Sequence, residues 1–179
     1  MAQPGATQTQ ELELRWLEDF ANRWEAAWNS HEHARLLELM ADDIVYDDSA
    51  WPSTMHGHGD VRTFLDSAWR AFPDLRFEVV EGPYIVPGQS KAAFLWKGSG
   101  THTGLLDPPG FAPTGNRIQF EGADFHEYRQ GRVCRLRIVF DMMDVGRQLG
   151  VVPKADSRAE KAGAAAQRLG IKLRERLSR

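Results

Sequence analysis

Two aspartates and two histidines lie in apolar, strand-like stretches of the sequence, where an ionisable side chain is costly unless it is paired. Asp48 shares a strand face with Tyr46. Asp124 and His126 alternate on one face of another strand, and His102 lies near the end of a third. Burial raises the pKa of a carboxyl group toward neutrality, and a nearby like charge separates two such pKa values. Two carboxyl groups and an imidazole that meet in an apolar pocket are therefore suited to proton transfer.

Each of these residues also has a structural alternative. Asp48 could cap a turn, Asp124 could simply pair with a buried histidine, and His102 could face solvent on its strand. The His56-Gly-His58 pair has a spacing seen in metal sites, but no motif places a carboxylate beside it. We therefore expect no metal ion and no other cofactor.

The order of predicted elements indicates how these side chains are positioned. Apolar residues at helical spacing predict three helices, over 11–30, 33–40 and 61–72, the last capped by Asp60. Alternation predicts five strands, at 44–48, 75–86, 92–104, 117–128 and 132–141, followed by a short helix at 143–149. Helices followed by strands are typical of an α+β fold. We expect a cone-shaped, curved antiparallel sheet wrapped around the N-terminal helices, with one pocket and an extra C-terminal helix.

Charge divides the 179-residue chain into unequal parts. Residues 1–153 carry 14 basic and 22 acidic residues, whereas 154–179 carry 8 basic and 3 acidic ones. An acidic body argues against nucleic-acid binding. We expect a disordered segment at 1–10, one domain at 11–153 and a basic helical tail at 154–179 that docks on the body or on a second subunit. No apolar run is long enough to span a membrane. With no secretory signal and the single Cys134, the sequence predicts a cytoplasmic protein.

The aromatic content is high for one small domain, with six Trp and nine Phe. We expect these side chains to line the pocket together with a few aliphatic ones. The candidate wall residues are Trp24, Trp28, Tyr46, Trp51, Trp69, Trp96, Phe111, Ile138 and Phe140.

Several short motifs resemble the SnoaL-like polyketide cyclases, members of the α+β superfamily of ketosteroid isomerase, scytalone dehydratase and nuclear transport factor 2. The motifs are MADDIVYDDSA, AFPDLRFE, THTG, GFAPTGNRIQFEG, GRVCRLRIVFD and RQLGVVP. The resemblance covers 14–153 and implies a cofactor-free intramolecular aldol reaction that uses an Asp and a His. By position, the family's His falls on Asp124 and its Asp falls on Ile138, which cannot move a proton. Asp141 matches a different acidic position of the family.

Other branches of the superfamily differ in how well they match. Limonene-epoxide hydrolases require an Arg where Gly122 stands. Ketosteroid isomerase fits better, because its general base corresponds to Asp48, its protonated Asp to Asp124 and its helix Tyr to Trp24. The resemblance thus implies an isomerase, dehydratase or cyclase acting on a polycyclic hydrophobic polyketide or steroid, in a homodimer. Asp48 would be the base, and Asp124 would stabilise the enolate with help from His102 or His126. The alternative, favoured by Ile138, is a binding or dimerisation protein without turnover.

Overall fold

The computed structural model describes residues 4–177, with the backbone alone for 4–12. The elements in chain order are α1 (Pro4–Ser30), α2 (His33–Glu38), β1 (Met40–Asp48), β2 (Met55–His56), α3 (Gly57–Ala71), β3 (Arg76–Ile85), β4 (Lys91–Thr101), β5 (Arg117–Arg129), β6 (Arg132–Phe140), α4 (Met142–Leu149) and α5 (Arg158–Leu177). The segment 1–10, expected to be disordered, lies partly outside the described residues. From Pro4 onward its backbone is helical, consistent with the preference for proline in a first helical turn.

The six strands form one curved sheet in the order β2-β1-β6-β5-β4-β3. Neighbouring strands are antiparallel except for β1 and β6, which are parallel. The sheet is therefore mixed, although the sequence predicted an antiparallel one. Most of the domain's sequence lies between β1 and β6, so these neighbouring strands are not joined by a hairpin turn that would make them antiparallel. The α+β fold itself is confirmed.

The concave face of the sheet packs on α1 and α3. Its buried residues form a core that includes Phe20 and Trp24 of α1, Leu65 of α3, and Leu136 of β6. The alternation predicted for β5 is confirmed, because Asp124 and His126 point inward and are only 3% and 1% exposed.

On the outer face of β5, ion pairs form with the lysines of β4. Lys91 Nζ lies 2.9 Å from Glu127 Oε1 and Lys97 Nζ lies 3.6 Å from Glu121 Oε1. β4 presents both lysines in direct register with these glutamates.

The loop between β4 and β5 forms a roof over one end of the concave face. Arg70 Nε donates to Leu105 O at 3.1 Å, and the Ser67 hydroxyl donates to Asp107 O at 2.5 Å. Gly104 lies so close to α3 that an added Cβ would be 1.9 Å from Arg70 O. Only glycine allows this approach, so the roof loop is held at a defined position on α3.

Helix α5 leaves the body instead of docking on it. It has no buried residue, and Leu169, Leu173 and Leu177 are exposed. One of its links to the body is an ion pair between Arg147 and Glu160, at 3.4 Å. Docking of α5 on its own body is therefore not observed among the described residues, and docking on a second subunit stays a prediction. The apolar stripe of α5 is narrow, and most of its length is Ala, Gly and charged residues. None of the helices described in 4–177 is long and apolar enough to span a membrane.

Candidate active site

A cavity of about 170 Å³ lies between α1, α3, the concave face of the sheet and the roof loop. Carbon atoms form almost all of its surface. Eight of the nine predicted wall residues line it: Trp24, Trp28, Tyr46, Trp51, Trp96, Phe111, Ile138 and Phe140. The exception is Trp69, which lies behind the wall, edge-on to Trp28 and stacked on His31. The cavity is called the chamber below.

Asp48 lines the chamber at the end of β1. Its Oδ2 accepts a hydrogen bond from the Tyr46 hydroxyl at 3.0 Å, and its Oδ1 accepts one from the Ala50 N–H at 2.8 Å. Burial raises the pKa of the Asp48 carboxyl from 3.8 to about 6, although both hydrogen bonds act to lower it. A carboxylate with a pKa near 6 is ionised at neutral pH and is a stronger base than an exposed one.

Asp124 lines the chamber from β5, with its side chain 4% exposed. Its Oδ2 lies 3.0 Å from His126 Nε2, but an Nε2 proton would not point straight at Oδ2. The contact is thus electrostatic rather than a well-aligned hydrogen bond. On the other side of the imidazole, His126 Nδ1 lies 2.9 Å from the Tyr128 hydroxyl. Within the described residues, Asp124 Oδ1 is buried and has no hydrogen-bond partner.

The register of the sheet fixes the relation between the two carboxyl groups. Asp48 is directly opposite Ile138, and Ile138 is directly opposite Asp124. One strand separates the aspartates, so their Cα atoms are roughly 10 Å apart. Both carboxyl groups act on Tyr46. Burial raises the pKa of the Tyr46 hydroxyl most, and the charges of Asp48 and Asp124 raise it further. The two carboxyl groups flank one chamber wall with Ile138 between them.

The other two predicted catalytic residues lie away from the chamber surface. The His102 ring is fully buried under the roof loop, stacked on Phe72, with Nδ1 3.2 Å from the Thr114 hydroxyl. Burial lowers the pKa of this imidazole. Asp141 is the N-cap of α4 and accepts hydrogen bonds from two backbone N–H groups of its first turn. His102 therefore has a structural role under the roof loop, and Asp141 has one at the N-terminus of α4.

Three further residues shape the site and were not predicted to be part of it. Glu25 lines the chamber from α1, where its Oε2 accepts from the Val79 N–H at 2.8 Å. Tyr128 continues the face of Asp124 and His126 at two-residue spacing, a signal that the sequence already carried. At Gly122, an added Cβ would be 2.4 Å from the Trp96 ring, so glycine lets the ring approach β5 this closely. Only the pairing of β4 with β5 reveals this.

Comparison with solved structures identifies the class of fold. AclR from Streptomyces galilaeus, described as a candidate hydroxylase, is 21% identical, and the match covers 88% of this chain and 95% of that chain with a TM-score of 0.64. IdmH from Streptomyces antibioticus, described as a candidate polyketide cyclase, is 23% identical over 74% of this chain and 97% of that one, with a TM-score of 0.60. A ketosteroid isomerase-like protein from Catenulispora acidiphila, in complex with trimethylamine, is 17% identical over 75% and 93%, with a TM-score of 0.62. These likenesses define a ketosteroid isomerase-like α+β fold.

The family follows from the sequence match. The model of the SnoaL-like polyketide cyclase family matches residues 18–149. The chain therefore belongs to the SnoaL-like polyketide cyclase family, as its motifs suggested. None of the curated proteins matches the chain.

Proposed function

We propose that this protein is a cofactor-free acid/base enzyme that removes a proton from the carbon next to a carbonyl group. Asp48 is the base. The observation that carries this proposal is a carboxyl group with its pKa raised to about 6, lining an apolar chamber and held by two hydrogen bonds. Proton transfer by a positioned group of matched pKa contributes about 10²–10⁴ in rate.

Asp124 acts as the partner that stabilises the new negative charge. When the C–H bond breaks, its proton goes to Asp48 and its electron pair forms the carbon–carbon double bond of an enolate. Asp124 donates a hydrogen bond to the enolate oxygen, the role that the protonated aspartate has in ketosteroid isomerase. Return of the proton to another carbon completes an isomerisation. Departure of a β-hydroxyl group, which takes the proton from Asp48 and leaves as water, completes a dehydration.

The composition of the chamber wall favours an apolar, ring-containing substrate of polyketide or steroid type. Trp24, Trp28 and Trp96 offer flat surfaces, whereas the polar groups are confined to a few side chains such as Asp48 and Asp124. A substrate with one oxygen at the Asp124 end and carbon elsewhere matches this distribution. The family's aldol cyclisation is a weaker match, because Ile138 stands at the position of its acid.

The second candidate function is binding without turnover, and Ile138 favours it. This residue lies between Asp48 and Asp124 on the chamber wall, so one position that the family uses for chemistry is apolar here. A binding protein would hold the same class of ligand in the same chamber. The homodimer remains a proposal as well, supported by Leu95 and Phe125 on the outer sheet face, which are 38% and 49% exposed.

The test uses 5-nitrobenzisoxazole, a small apolar compound that opens when a base removes its ring C–H proton. The N–O bond breaks in the same step and releases a coloured phenolate. We expect the wild-type protein to accelerate this reaction and Asp48→Asn to lose about 10²-fold or more in kcat/KM. The matched control is Asp47→Asn, because Asp47 lies next in the chain and is held instead by the Thr54 hydroxyl at 2.6 Å. Equal rates for wild type and Asp48→Asn would refute the catalytic role and favour the binding protein.

A further inference from the structure

We propose that the chamber has a subsite for a positively charged, N-methylated amine, formed by the Glu25 carboxylate and the rings of Trp28, Phe77 and Trp96. All four residues line the chamber, and the proposed proton transfer uses none of them as an acid or base. The inference rests on the proposed function only in treating the bound amine as a substrate. It names the substrate class more closely, as a ring ketone that also carries a basic nitrogen.

The negative charge of Glu25 has no structural partner. Its Oε2 accepts a hydrogen bond from the Val79 N–H at 2.8 Å, but Glu25 belongs to none of the ion pairs found among the described residues. The side-chain oxygen of a neutral glutamine would accept from the same N–H. The contact with β3 therefore explains an acceptor at this position and leaves the charge available for a ligand.

The second oxygen of this carboxylate is accessible. Glu25 is half-buried. Its Oε1 has no hydrogen-bond partner among the described residues, yet it is not one of their fully buried, unpartnered polar atoms. A carboxylate at the edge of an apolar cavity attracts a cation more strongly than one in bulk water, because the effective dielectric constant is lower.

Three aromatic rings meet beside this carboxylate. Trp28 lies one helical turn after Glu25 on α1. Phe77 is two residues before Val79 on β3, and Trp96 of β4 is directly opposite Val79. The Phe77 ring centroid is 5.2 Å from that of Trp28, at an interplanar angle of 67°, and 5.2 Å from that of Trp96, at 90°. The rings thus form a corner of steeply inclined aromatic surfaces next to the bond between Glu25 and Val79.

This corner matches the chemistry of a methylated ammonium group. Aromatic cages bind such groups through cation–π attraction, and the carboxylate adds a direct attraction between charges. The methyl groups present carbon to the chamber wall, whereas an unmethylated ammonium would bring three N–H donors to a surface that is almost all carbon. An anionic ligand fits poorly, because no Lys, Arg or His is found among the described residues that line the chamber.

The register of the sheet sets the span between the amine and the carbonyl group. Val79 is opposite Trp96, Trp96 is opposite Gly122, and Asp124 is two residues further along β5. Two strand spacings and two residues separate the Cα atoms of Val79 and Asp124, a distance of roughly 12 Å. A polycyclic ketone with its amine at the end opposite its carbonyl group therefore reaches from Asp124 to Glu25.

The test compares two probes of the same shape in the full-length protein, (3-hydroxyphenyl)trimethylammonium and its neutral carbon analogue 3-tert-butylphenol. Calorimetric titration gives the Kd of each. We expect the wild type to bind the cation about 10-fold more tightly than the phenol. Glu25→Gln keeps an oxygen for the Val79 N–H, and it should weaken cation binding about 10-fold while it changes the Kd of the neutral probe by less than about twofold. Glu18→Gln is the control, because Glu18 is exposed on the same helix and does not line the chamber.

Several outcomes would overturn the inference. Equal affinity of the wild type for the two probes, or no binding of the cation, would refute it. A preference for the cation that survives in Glu25→Gln would refute it too. If Glu25→Gln fails to fold, Phe77→Leu takes its place, since it removes one ring of the corner and an unchanged preference for the cation would then count against the subsite.

Binding needs no turnover, so the subsite and the enzyme can fail separately. A preference for the cation that depends on Glu25, in a protein that does not open 5-nitrobenzisoxazole, would support the subsite and overturn only the enzyme. Turnover that depends on Asp48, without a preference for the cation, would support the enzyme and overturn the subsite.

Discussion

Replacing Asp48 by asparagine should make the protein more stable while it removes the proposed base. The rise of the Asp48 pKa from its ordinary 3.8 to about 6 means that the folded protein binds this proton more tightly than the unfolded chain. Stability contributed by the protonated form is fully present below pH 4 and is lost as pH rises from 4 to 6. At about 1.4 kcal/mol per pKa unit, the buried carboxylate costs roughly 3 kcal/mol at neutral pH.

Asparagine avoids this cost but loses part of the hydrogen bonding. Both Tyr46 and Ala50 donate to Asp48, and an amide has only one oxygen, so one donor would face an NH₂ group at a cost of about 1 kcal/mol. We expect Asp48→Asn to be about 2 kcal/mol more stable than wild type at pH 7.5. The advantage should shrink toward pH 4.

The assay is urea unfolding of wild type and Asp48→Asn at a series of pH values between 4.5 and 8. Taking the difference between the two proteins removes the titration of all other groups. Asp47→Asn is the control, because it removes a neighbouring carboxylate that bonds to the Thr54 hydroxyl and leaves Asp48 in place. A pH-independent difference for Asp48→Asn, or a variant less stable than wild type at pH 7.5, would refute the reasoning.

Three other changes test separate parts of the account. Tyr46→Phe removes a hydrogen bond that lowers the Asp48 pKa, so the midpoint of the pH–rate profile for 5-nitrobenzisoxazole should move above 6. A profile that stays in place or moves down would contradict this. Gly122→Ala would place a methyl group 2.4 Å from the Trp96 ring and should destabilise the fold by about 1–3 kcal/mol in urea unfolding. The control is Gly163→Ala, where an added Cβ meets nothing within 4 Å and no destabilisation is expected. Truncation after Pro153 should change the melting temperature by no more than about 2 °C, since it removes little more than surface ion pairs; a larger drop would show that α5 docks.

Most of the fold could be predicted because its signals are local. The apolar face of α1 and the two-residue alternation of β5 appear directly in the sequence. β5 has the expected bounds to within one residue, and α1 ends at Ser30 as predicted but begins at Pro4, earlier than the predicted residue 11. The parallel pairing of β1 with β6 could not be predicted, because it joins segments about 90 residues apart with no turn between them. The exposure of α5 could not be predicted either, because periodicity indicates an apolar stripe but not whether another surface covers it.

The site residues could be predicted where strand alternation alone decides whether a side chain points inward. Alternation placed Asp48 and Asp124 toward the interior, and both line the chamber. His102 was harder, because it lies just past the end of β4, where the strand period no longer fixes direction and the roof loop covers the ring. The close contact between Gly122 and the Trp96 ring depends on the register of β5 with β4. A single sequence does not show this register.

The most direct measurement is a carbon-13 NMR titration of the Asp48 carboxyl in the full-length protein, with the resonance assigned by its absence from Asp48→Asn. We expect a midpoint near pH 6, equal to the midpoint of the pH–rate profile on 5-nitrobenzisoxazole. A midpoint near the ordinary 3.8 would contradict the claim that the chamber tunes Asp48 as a base.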